Sequence, residues 1–411
     1  MQSFLTSHEA PPPEGTTLLT ENDLQNARAL YPHTAQGKLY FNHAGTGPLS
    51  TRVVAAMTDY LMRRSQGDLD TYQSDLPMVK ECRGFVQKLI NAASPDRIAF
   101  SSNTSDAINI IASGIPWKSG DRIVLNNLEF PANVWPYLNL KSLGVHIDEV
   151  KSADGRLTPD MVQKALRPRT RLVALSAVQY LSGHRADIGT IGEICQKHGI
   201  IFAVDGIQAV GAVRIDVQKM KIDALSAGSQ KWQLGPHGTG FLYLTEELQS
   251  IIRQTSLGWL GVADPWEFSN FDQPLASTAR RYEGGSLNMP GLWGLHASLA
   301  TLIEFGPEPI EEQILELSGR LISGFRNITG VNVVTAEPPA ERAGIVTIEP
   351  PSGVDSQQVY EMMAERAMTI AVRQGKLRYS PHFYNTVQEM DSAIDITRDC
   401  ISSIQNRRAA P

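Results

Sequence analysis

Cysteine is scarce in this sequence of 411 residues, which contains only Cys82, Cys195 and Cys400, far apart and without a CxxC pair. Disulfide frameworks and thiolate metal sites both need closely patterned cysteines, so neither is encoded. We therefore expect a protein of a reducing compartment with no structural metal.

Long apolar runs and basic tracts are also missing. No stretch of about 18 apolar residues occurs, and the polar, Pro-rich start does not resemble a signal peptide. Lys and Arg number 37 against 43 Asp and Glu, a net charge of −6. Because anionic partners need a basic surface, we expect a cytoplasmic protein that binds neither nucleic acid nor membrane.

What the sequence does contain is an alternation of short apolar runs with amphipathic stretches, the pattern of a mostly parallel sheet covered by helices. We predict helices after Thr20, an N-cap with Asp23 three residues on, at about 52–66, and from Thr104. The predicted strands are 97–103, 121–127, 144–150, 171–178 and 200–206. Residues 221–244 indicate two more strands around a Gly-containing loop, with a β-hairpin as one explanation.

The pattern changes near residue 291, where a long amphipathic segment precedes a different succession of helices and strands. A domain boundary is therefore expected around 290–310. We predict an N-terminal arm and helix over 1–36, of which 1–16 is a loose arm. A large domain would follow over 37–295 and a small C-terminal domain over 296–411.

Two charged residues lie in apolar surroundings. Asp205 ends the predicted strand 200–206, where a buried carboxylate needs a cation or hydrogen-bond donors. Lys231 lies in GSQKWQLG, where loss of solvent would lower the pKa of its amine and make it nucleophilic. Each alone has an ordinary explanation, a helix-capping aspartate and a surface lysine. Together they point to pyridoxal phosphate, with Lys231 forming the Schiff base and Asp205 keeping the pyridine nitrogen protonated.

Four further residues fit such a cofactor. Gln208 of VDGIQA would hydrogen-bond the ring hydroxyl. Thr104 and Ser105 open a predicted helix, where free N–H groups favour a phosphate, although a plain N-cap is the alternative. Phe130, just after a predicted strand, either stacks on a planar cofactor or is an ordinary core residue.

Seven segments occur in the order seen in fold type I pyridoxal-phosphate enzymes: YFNHAGTGPLS, NTSDAINIIA, EFPANVWPY, VDGIQA, GSQKW, RYEGGSLN and IAVRQGKLRYSPHFYNT. They resemble the class V aminotransferase family, which includes cysteine desulfurases and isopenicillin-N-epimerase-like proteins. The resemblance runs from about Leu39 to Asp391. It implies an α/β fold, with a large domain on a mostly parallel seven-stranded sheet and a smaller α+β C-terminal domain.

The resemblance implies a role for each matching residue. Lys231 would carry the cofactor, Asp205 would face the pyridine nitrogen and Gln208 would lie beside the ring oxygen. On the substrate side, Arg378 would clamp the α-carboxylate, with Arg373 as a second cationic partner. A surface ion pair is the ordinary alternative for both arginines.

The phosphate has its own set of implied residues. Thr104 and Ser105 would hold it, with Ser229 as a weaker candidate. Gln230 stands where cysteine desulfurases usually have a histidine before the lysine. Ser286 would reach the phosphate of the neighbouring subunit, so a homodimer with shared active sites is expected.

Two departures limit the transfer of function, and one further residue stays open. Phe130 occupies the position of a cofactor-stacking histidine in the desulfurases. After Arg373 the chain runs almost directly into LRYSPHFYNT, without the loop that carries the desulfurases' nucleophilic cysteine. His43 in NHAG is either a substrate contact or a structural histidine.

We therefore predict an enzyme acting on an α-amino acid through an external aldimine and removal of the Cα proton. A class V aminotransferase-like or C–S lyase activity is expected, with epimerisation as the alternative. A catalytically silent cofactor-binding regulator and a nucleotide-binding dehydrogenase are alternatives of other classes. A dehydrogenase would need a GxGxxG or GxxxxGK[ST] motif to bind the nucleotide phosphates, and this sequence contains neither.

Overall fold

The computed structural model describes residues 19–68 and 72–409. The loose arm expected over 1–16 lies outside the described residues. The helix predicted after Thr20 is confirmed and begins at Glu21. Asp23 N donates to Thr20 Oγ1 at 3.1 Å and Thr20 N donates to Asp23 Oδ2 at 3.0 Å, so each residue satisfies a free amide of the other.

The helices and strands of the described residues alternate through most of the chain. The helices are α1 Glu21–Ala29, α2 Pro32–Ala35, α3 Thr51–Gln66, α4 Leu76–Ile90, α5 Thr104–Gly114, α6 Trp135–Leu138, α7 Pro159–Ala165, α8 Ile188–His198, α9 Glu246–Ile251, α10 Met289–Phe305, α11 Pro307–Arg326, α12 Ser356–Ala364 and α13 Val387–Ala409. The strands are β1 Leu39–Tyr40, β2 Ile98–Ser101, β3 Arg122–Asn126, β4 His146–Val150, β5 Thr170–Ser176, β6 Ile201–Asp205, β7 Ala224–Gly228, β8 Gly240–Leu244, β9 Asn332–Val333, β10 Val346–Glu349, β11 Met368–Thr369, β12 Ala371–Arg373 and β13 Lys376–Tyr379.

The large domain is built on a seven-stranded sheet in the order β2-β8-β7-β6-β5-β3-β4. β8 runs antiparallel to both of its neighbours, and the pairings from β7 to β4 are parallel. The five strands predicted from apolar runs are confirmed, with ends shifted by one or two residues. β7 and β8 are antiparallel neighbours, so the hairpin explanation of residues 221–244 is confirmed.

The central strands read as unbroken apolar runs because both faces of the sheet are buried. In β6, Phe202 and Val204 belong to one hydrophobic cluster and Ala203 to another on the opposite face. Asp205 is two residues after Ala203, so its side chain lies on the same face of the sheet, which α5 covers. The parallel strands therefore bring polar residues to one edge of the sheet, directly beside the start of α5.

The smaller C-terminal domain contains a four-stranded antiparallel sheet in the order β12-β13-β10-β9. Its core is a separate hydrophobic cluster that includes Leu317, Phe325 and Tyr379. Strand β1 pairs with β11, and Phe41 belongs to the same cluster, so the segment after α2 packs with this domain. The predicted division between 295 and 296 falls inside α10, which packs on α3 and α4. We propose that the division lies at the end of α10 instead.

Among the helices of the described residues, none is both long enough and apolar enough to span a bilayer.

Candidate active site

Asp205 ends β6 and is buried. Its Oδ1 accepts a hydrogen bond from Ile207 N at 2.9 Å. Burial raises the pKa of the Asp205 carboxyl, as does the charge of Glu129, while the Ile207 N–H and the Lys231 ammonium lower it. Ser226 is its register partner on β7. Such a carboxylate is stabilised by a cationic group placed against it.

Lys231 lies in the loop between β7 and β8, half-buried. Its Nζ lies 5.6 Å from the centroid of the Phe130 ring. Burial lowers the pKa of the Lys231 amine, the charges of Arg378 and Arg373 lower it further, and only Asp205 raises it. The neutral, nucleophilic form of this lysine is therefore favoured relative to an ordinary surface lysine.

The turn NHAGTG packs directly against the lysine loop. Gly47 N donates to Gln230 O at 2.8 Å. A Cβ at Gly47 would lie 2.4 Å from Lys231 O, so a side chain at this position would displace the backbone that carries Lys231. The glycine here is required by close approach of two backbones.

Gln208 lies behind the lysine loop. Its Oε1 accepts from Trp232 Nε1 at 2.8 Å, and its Nε2 donates to Ala44 O at 3.1 Å. Because a primary amide has two N–H groups, Nε2 keeps one donor for another acceptor. These contacts fix the orientation of the amide, and the remaining N–H group is available for the predicted hydrogen bond to a ring oxygen.

Thr104 and Gln230 meet at Gly228, the last residue of β7. Gly228 N donates to Thr104 Oγ1 at 2.9 Å. A Cβ at Gly228 would lie 2.6 Å from Gln230 Oε1 and 3.2 Å from Thr104 Oγ1, so the two side chains border the same small space. Asn103, not Thr104, caps α5 by accepting from Asp106 N at 2.9 Å. The start of α5 and the lysine loop are thus joined through this glycine.

The other phosphate candidates are placed differently. Ser105 is half-buried in the first turn of α5 and borders a cavity of about 690 Å³ together with Phe130. Ser229 is fully buried, and its hydroxyl bonds the Pro236 and Thr239 carbonyls at 2.9 and 3.1 Å. These contacts favour a structural role for Ser229.

Arg378 lies on β13, 2% exposed, and donates from Nη1 to Tyr180 O at 2.7 Å. Its buried Nε has no partner among the described residues. Burial lowers the pKa of the Arg378 guanidinium to about 10, with a smaller contribution from the charge of Arg373. Arg373, on β12, is exposed and donates to Val372 O at 2.9 Å. The charges of both guanidinium groups lower the pKa of Lys231, and substrate binding by the two arginines stays a prediction.

His43 is buried with both ring nitrogens in use. Nδ1 lies 2.7 Å from Ser380 O and Nε2 lies 2.6 Å from Tyr384 Oη. Burial first, and His382 next, hold the pKa of this imidazole well below its ordinary value. Of the two explanations of His43, these contacts favour the structural one, and a substrate contact stays a prediction.

Ser286 is exposed and borders a cavity of about 540 Å³ that is also lined by Ser102 and Asp106 beside the start of α5. Neither Lys231 nor Asp205 lines this cavity. Ser286 therefore borders a different space from Lys231 and Asp205 of its own chain.

Three residues near the site escaped the sequence analysis. Glu129 is buried and accepts from Asn126 Nδ2, Asn133 Nδ2, Ser176 N and Gln179 Nε2 at 2.6, 2.9, 2.8 and 3.1 Å. Gln179 follows the end of β5, where the rule that singled out Asp205 applies equally. Tyr180 lies between Phe130, with ring centroids 5.3 Å apart, and Arg378. No local signal marks Tyr180.

The chemistry of this donor set fits pyridoxal phosphate. A desolvated lysine, a buried aspartate at the neighbouring strand end and an amide with a spare donor face one edge of the sheet. Two buried polar atoms near this edge have no partner among residues 19–68 and 72–409: Ser226 Oγ, on β7 beside Asp205, and Gln179 Oε1, shortly after β5. The same described residues contain no cluster of three metal-ligating side chains. Together with the mixed sheet and the smaller domain, the site defines a fold type I pyridoxal-phosphate enzyme.

Comparison with known proteins agrees. The chain matches the family model "Aminotransferase class-V" over residues 39–391 and belongs to that family. A probable cysteine desulfurase of Methanothermobacter thermautotrophicus is 30% identical over 375 residues, 86% of this chain and 92% of the relative. The uncharacterized aminotransferase YcbU of Bacillus subtilis is 29% identical over 75% of this chain and 80% of the relative.

Solved structures show the same fold. The apo cysteine desulfurase of Thermococcus onnurineus NA1 has a TM-score of 0.83 and 25% identity, covering 92% of this chain and 98% of that one. The cystine C–S lyase C-DES in complex with cysteine persulfide has a TM-score of 0.82 and 23% identity, covering 90% and 99%. The chain is therefore a pyridoxal-phosphate-dependent enzyme of the class V aminotransferase family.

Proposed function

We propose that this enzyme removes the Cα proton of an α-amino acid and acts as a class V aminotransferase or a C–S lyase without a catalytic cysteine. The observation that carries the proposal is the position of Lys231, close to Phe130 and under the charges of Arg378 and Arg373. When bound, pyridoxal phosphate supplies an electron-accepting ring.

The residues of the chain divide the work among them. Lys231 is the attachment point of the cofactor and, as a neutral amine, accepts the Cα proton. Asp205 provides negative charge for the ring nitrogen, and Gln208 orients the ring oxygen. Arg378 binds the substrate α-carboxylate, because its planar fork suits a carboxylate and no residue in the described part of the chain bonds its Nε.

A protein thiol has no place in this proposal. Arg373 and Lys376 are paired across a two-residue turn, Gln374 and Gly375, both with positive φ, so the hairpin has no loop to carry a cysteine. Cys82, Cys195 and Cys400 are buried and free, and burial raises the pKa of all three thiols. Direct β-elimination needs no such thiol.

The phosphate and the oligomeric state belong together in the proposal. Thr104, Ser105 and Gln230 would hold the phosphate of their own chain, and Ser286 would reach that of a second copy. Ser286 borders a cavity that Lys231 and Asp205 of the same chain do not line, and this placement supports a homodimer with shared active sites. The free cysteines support the cytoplasmic location that we propose.

An assay of the purified enzyme with a panel of amino acids and amino-acid sulfur conjugates tests the proposal. Keto acid formed together with a second amino acid indicates transamination, whereas ammonia with sulfide or thiol indicates β-elimination. Loss of optical activity without either product indicates the epimerase alternative. No change in any amino acid, with the cofactor attached to Lys231, would refute the proposed function.

A further inference from the structure

The hairpin β12–β13 presents three cationic side chains on one face. Ala371 pairs with Arg378, and Arg373 pairs with Lys376. Directly paired residues share a face of the sheet, as do residues two apart along a strand, so Arg373, Lys376 and Arg378 lie on one face. Arg373 and Arg378 are diagonal neighbours, about 7–8 Å apart at the Cα atoms in such a pair. A single small molecule can therefore touch both guanidinium groups.

Tyr180 connects the hairpin to the surroundings of Lys231. Gln374 Nε2 donates to Tyr180 Oη at 2.9 Å, and Arg378 Nη1 donates to the Tyr180 carbonyl at 2.7 Å. The Tyr180 ring meets Phe130 edge-on, and Phe130 lies against Lys231 Nζ. Tyr180 and Phe130 thus form an aromatic wall between the hairpin and the amine.

The three cations differ in their partners. Lys376 Nζ pairs with Glu349. Within the described parts of the chain, neither Arg373 nor Arg378 has a carboxylate within salt-bridge distance, and both donate only to carbonyl oxygens. The site therefore contains three cationic groups, on Lys231, Arg373 and Arg378. Only one carboxylate, that of Asp205, acts on Lys231. One substrate carboxylate would neutralise Arg378 and leave Arg373 without a counter-ion.

We propose that the substrate is a dicarboxylic α-amino acid. Its α-carboxylate would bind Arg378, its side-chain carboxylate would bind Arg373, and its methylene groups would pack on Phe130 and Tyr180. The proposal rests on the proposed function and adds the substrate class to it. Arg373 is then a specificity-determining residue, because its guanidinium is exposed and has no carboxylate partner among the described residues.

Matched pairs of substrates test the inference with the holoenzyme. L-Glutamate and L-glutamine test transamination, and S-carboxymethyl-L-cysteine and its side-chain amide test C–S cleavage. The two members of each pair have nearly the same shape and differ in one charge. Because Arg373 is exposed, a charge-assisted pair with it predicts kcat/KM about fivefold or more higher for the acid than for its amide. Arg373→Met should lower this ratio by about the same factor, and Arg373→Lys should restore part of it, since lysine keeps the charge but not the fork. Lys376→Met, on the same face, is the control and should keep the ratio.

Binding without turnover provides an independent measurement. Glutarate should bind the holoenzyme more tightly than its monoamide by calorimetry, and Arg373→Met should abolish the difference. Equal kcat/KM for acid and amide, or turnover of neutral amino acids alone, would overturn the dicarboxylate inference while the proposed function stands. If no amino acid is turned over, the proposed function fails, and glutarate binding still decides the role of Arg373.

Discussion

Lys231 Nζ lies 5.6 Å from the centroid of the Phe130 ring, so the reactive amine borders an aromatic face. A phenyl ring cannot exchange protons. We therefore propose that Lys231 is the group that transfers the Cα proton. The exposed fraction of Phe130, 46%, leaves a surface on which a planar group can stack.

Lys231→Ala should remove the covalent link to the cofactor and lower turnover by about three orders of magnitude or more, because the amine both attaches the cofactor and moves the proton. After borohydride reduction, peptide mass spectrometry should find the cofactor adduct on Lys231 in the native enzyme and nowhere in the variant. Lys219→Ala, at an exposed position, is the control. An adduct on a different lysine of the native enzyme would contradict the assignment.

The charge of Arg378 should set the pH dependence of cofactor attachment. Only the neutral amine attacks, and nearby cations lower the pKa of Lys231 by disfavouring its protonated form. Arg378→Met removes a cation, so the lysine pKa should rise and the rate profile for attachment should move to higher pH. Stopped-flow absorbance across a pH series measures the midpoint. Arg366→Met, an exposed residue near Asp399, should leave it in place, and a shift to lower pH for Arg378→Met would refute the argument.

Arg378→Ala should weaken substrate recognition by about 2 kcal/mol or more, about 30-fold in kcat/KM, because a desolvated charge-assisted pair is lost. The effect should fall mainly on KM. Arg378→Lys should recover only part of the lost kcat/KM, since lysine lacks the bidentate geometry of a guanidinium. Steady-state kinetics together with circular dichroism separate lost binding from lost structure. A normal KM in a folded Arg378→Ala enzyme would exclude the clamp.

Replacing Cys82, Cys195 and Cys400 together by alanine should leave turnover within about tenfold, with packing losses of about 1 kcal/mol per site. All three thiols are buried, and burial raises the pKa of Cys195 to about 12, so few thiolates form at neutral pH. Mass spectrometry during turnover should find no protein-bound persulfide. Its detection on any of them would restore a desulfurase mechanism.

Glu129→Gln should destabilise the fold by about 1–3 kcal/mol, because a buried amide group would face donors that now bind a carboxylate. Asn133 Nδ2 donates to Oε2 and Ser176 N to Oε1, so either orientation of glutamine places a donor against a donor. The urea midpoint of unfolding measures the loss. Glu149→Gln, at an exposed position on β4, should have no comparable effect. Equal midpoints for both variants would mean that the Glu129 contacts contribute little.

The sequence by itself determined the succession of strands and helices, the cap at Thr20 and the importance of Asp205 and Lys231. These features are local: apolar runs mark strands that are buried on both faces, and a lone carboxylate at the end of such a run needs a partner. The family motifs added Arg378 and Thr104 as candidate site residues. Their roles at the site stay predictions from the order of the motifs.

Tertiary structure alone decided which distant side chains meet. Tyr180 accepts a hydrogen bond from Arg378, 198 positions away in the chain, and His43 is held by Ser380, 337 positions away. Glu129 gathers donors from neighbouring strand ends, although nothing in its own segment marks it. Such contacts depend on how strands are ordered in the sheet and how the second domain packs on it, whereas composition and periodicity describe only a residue's neighbours along the chain.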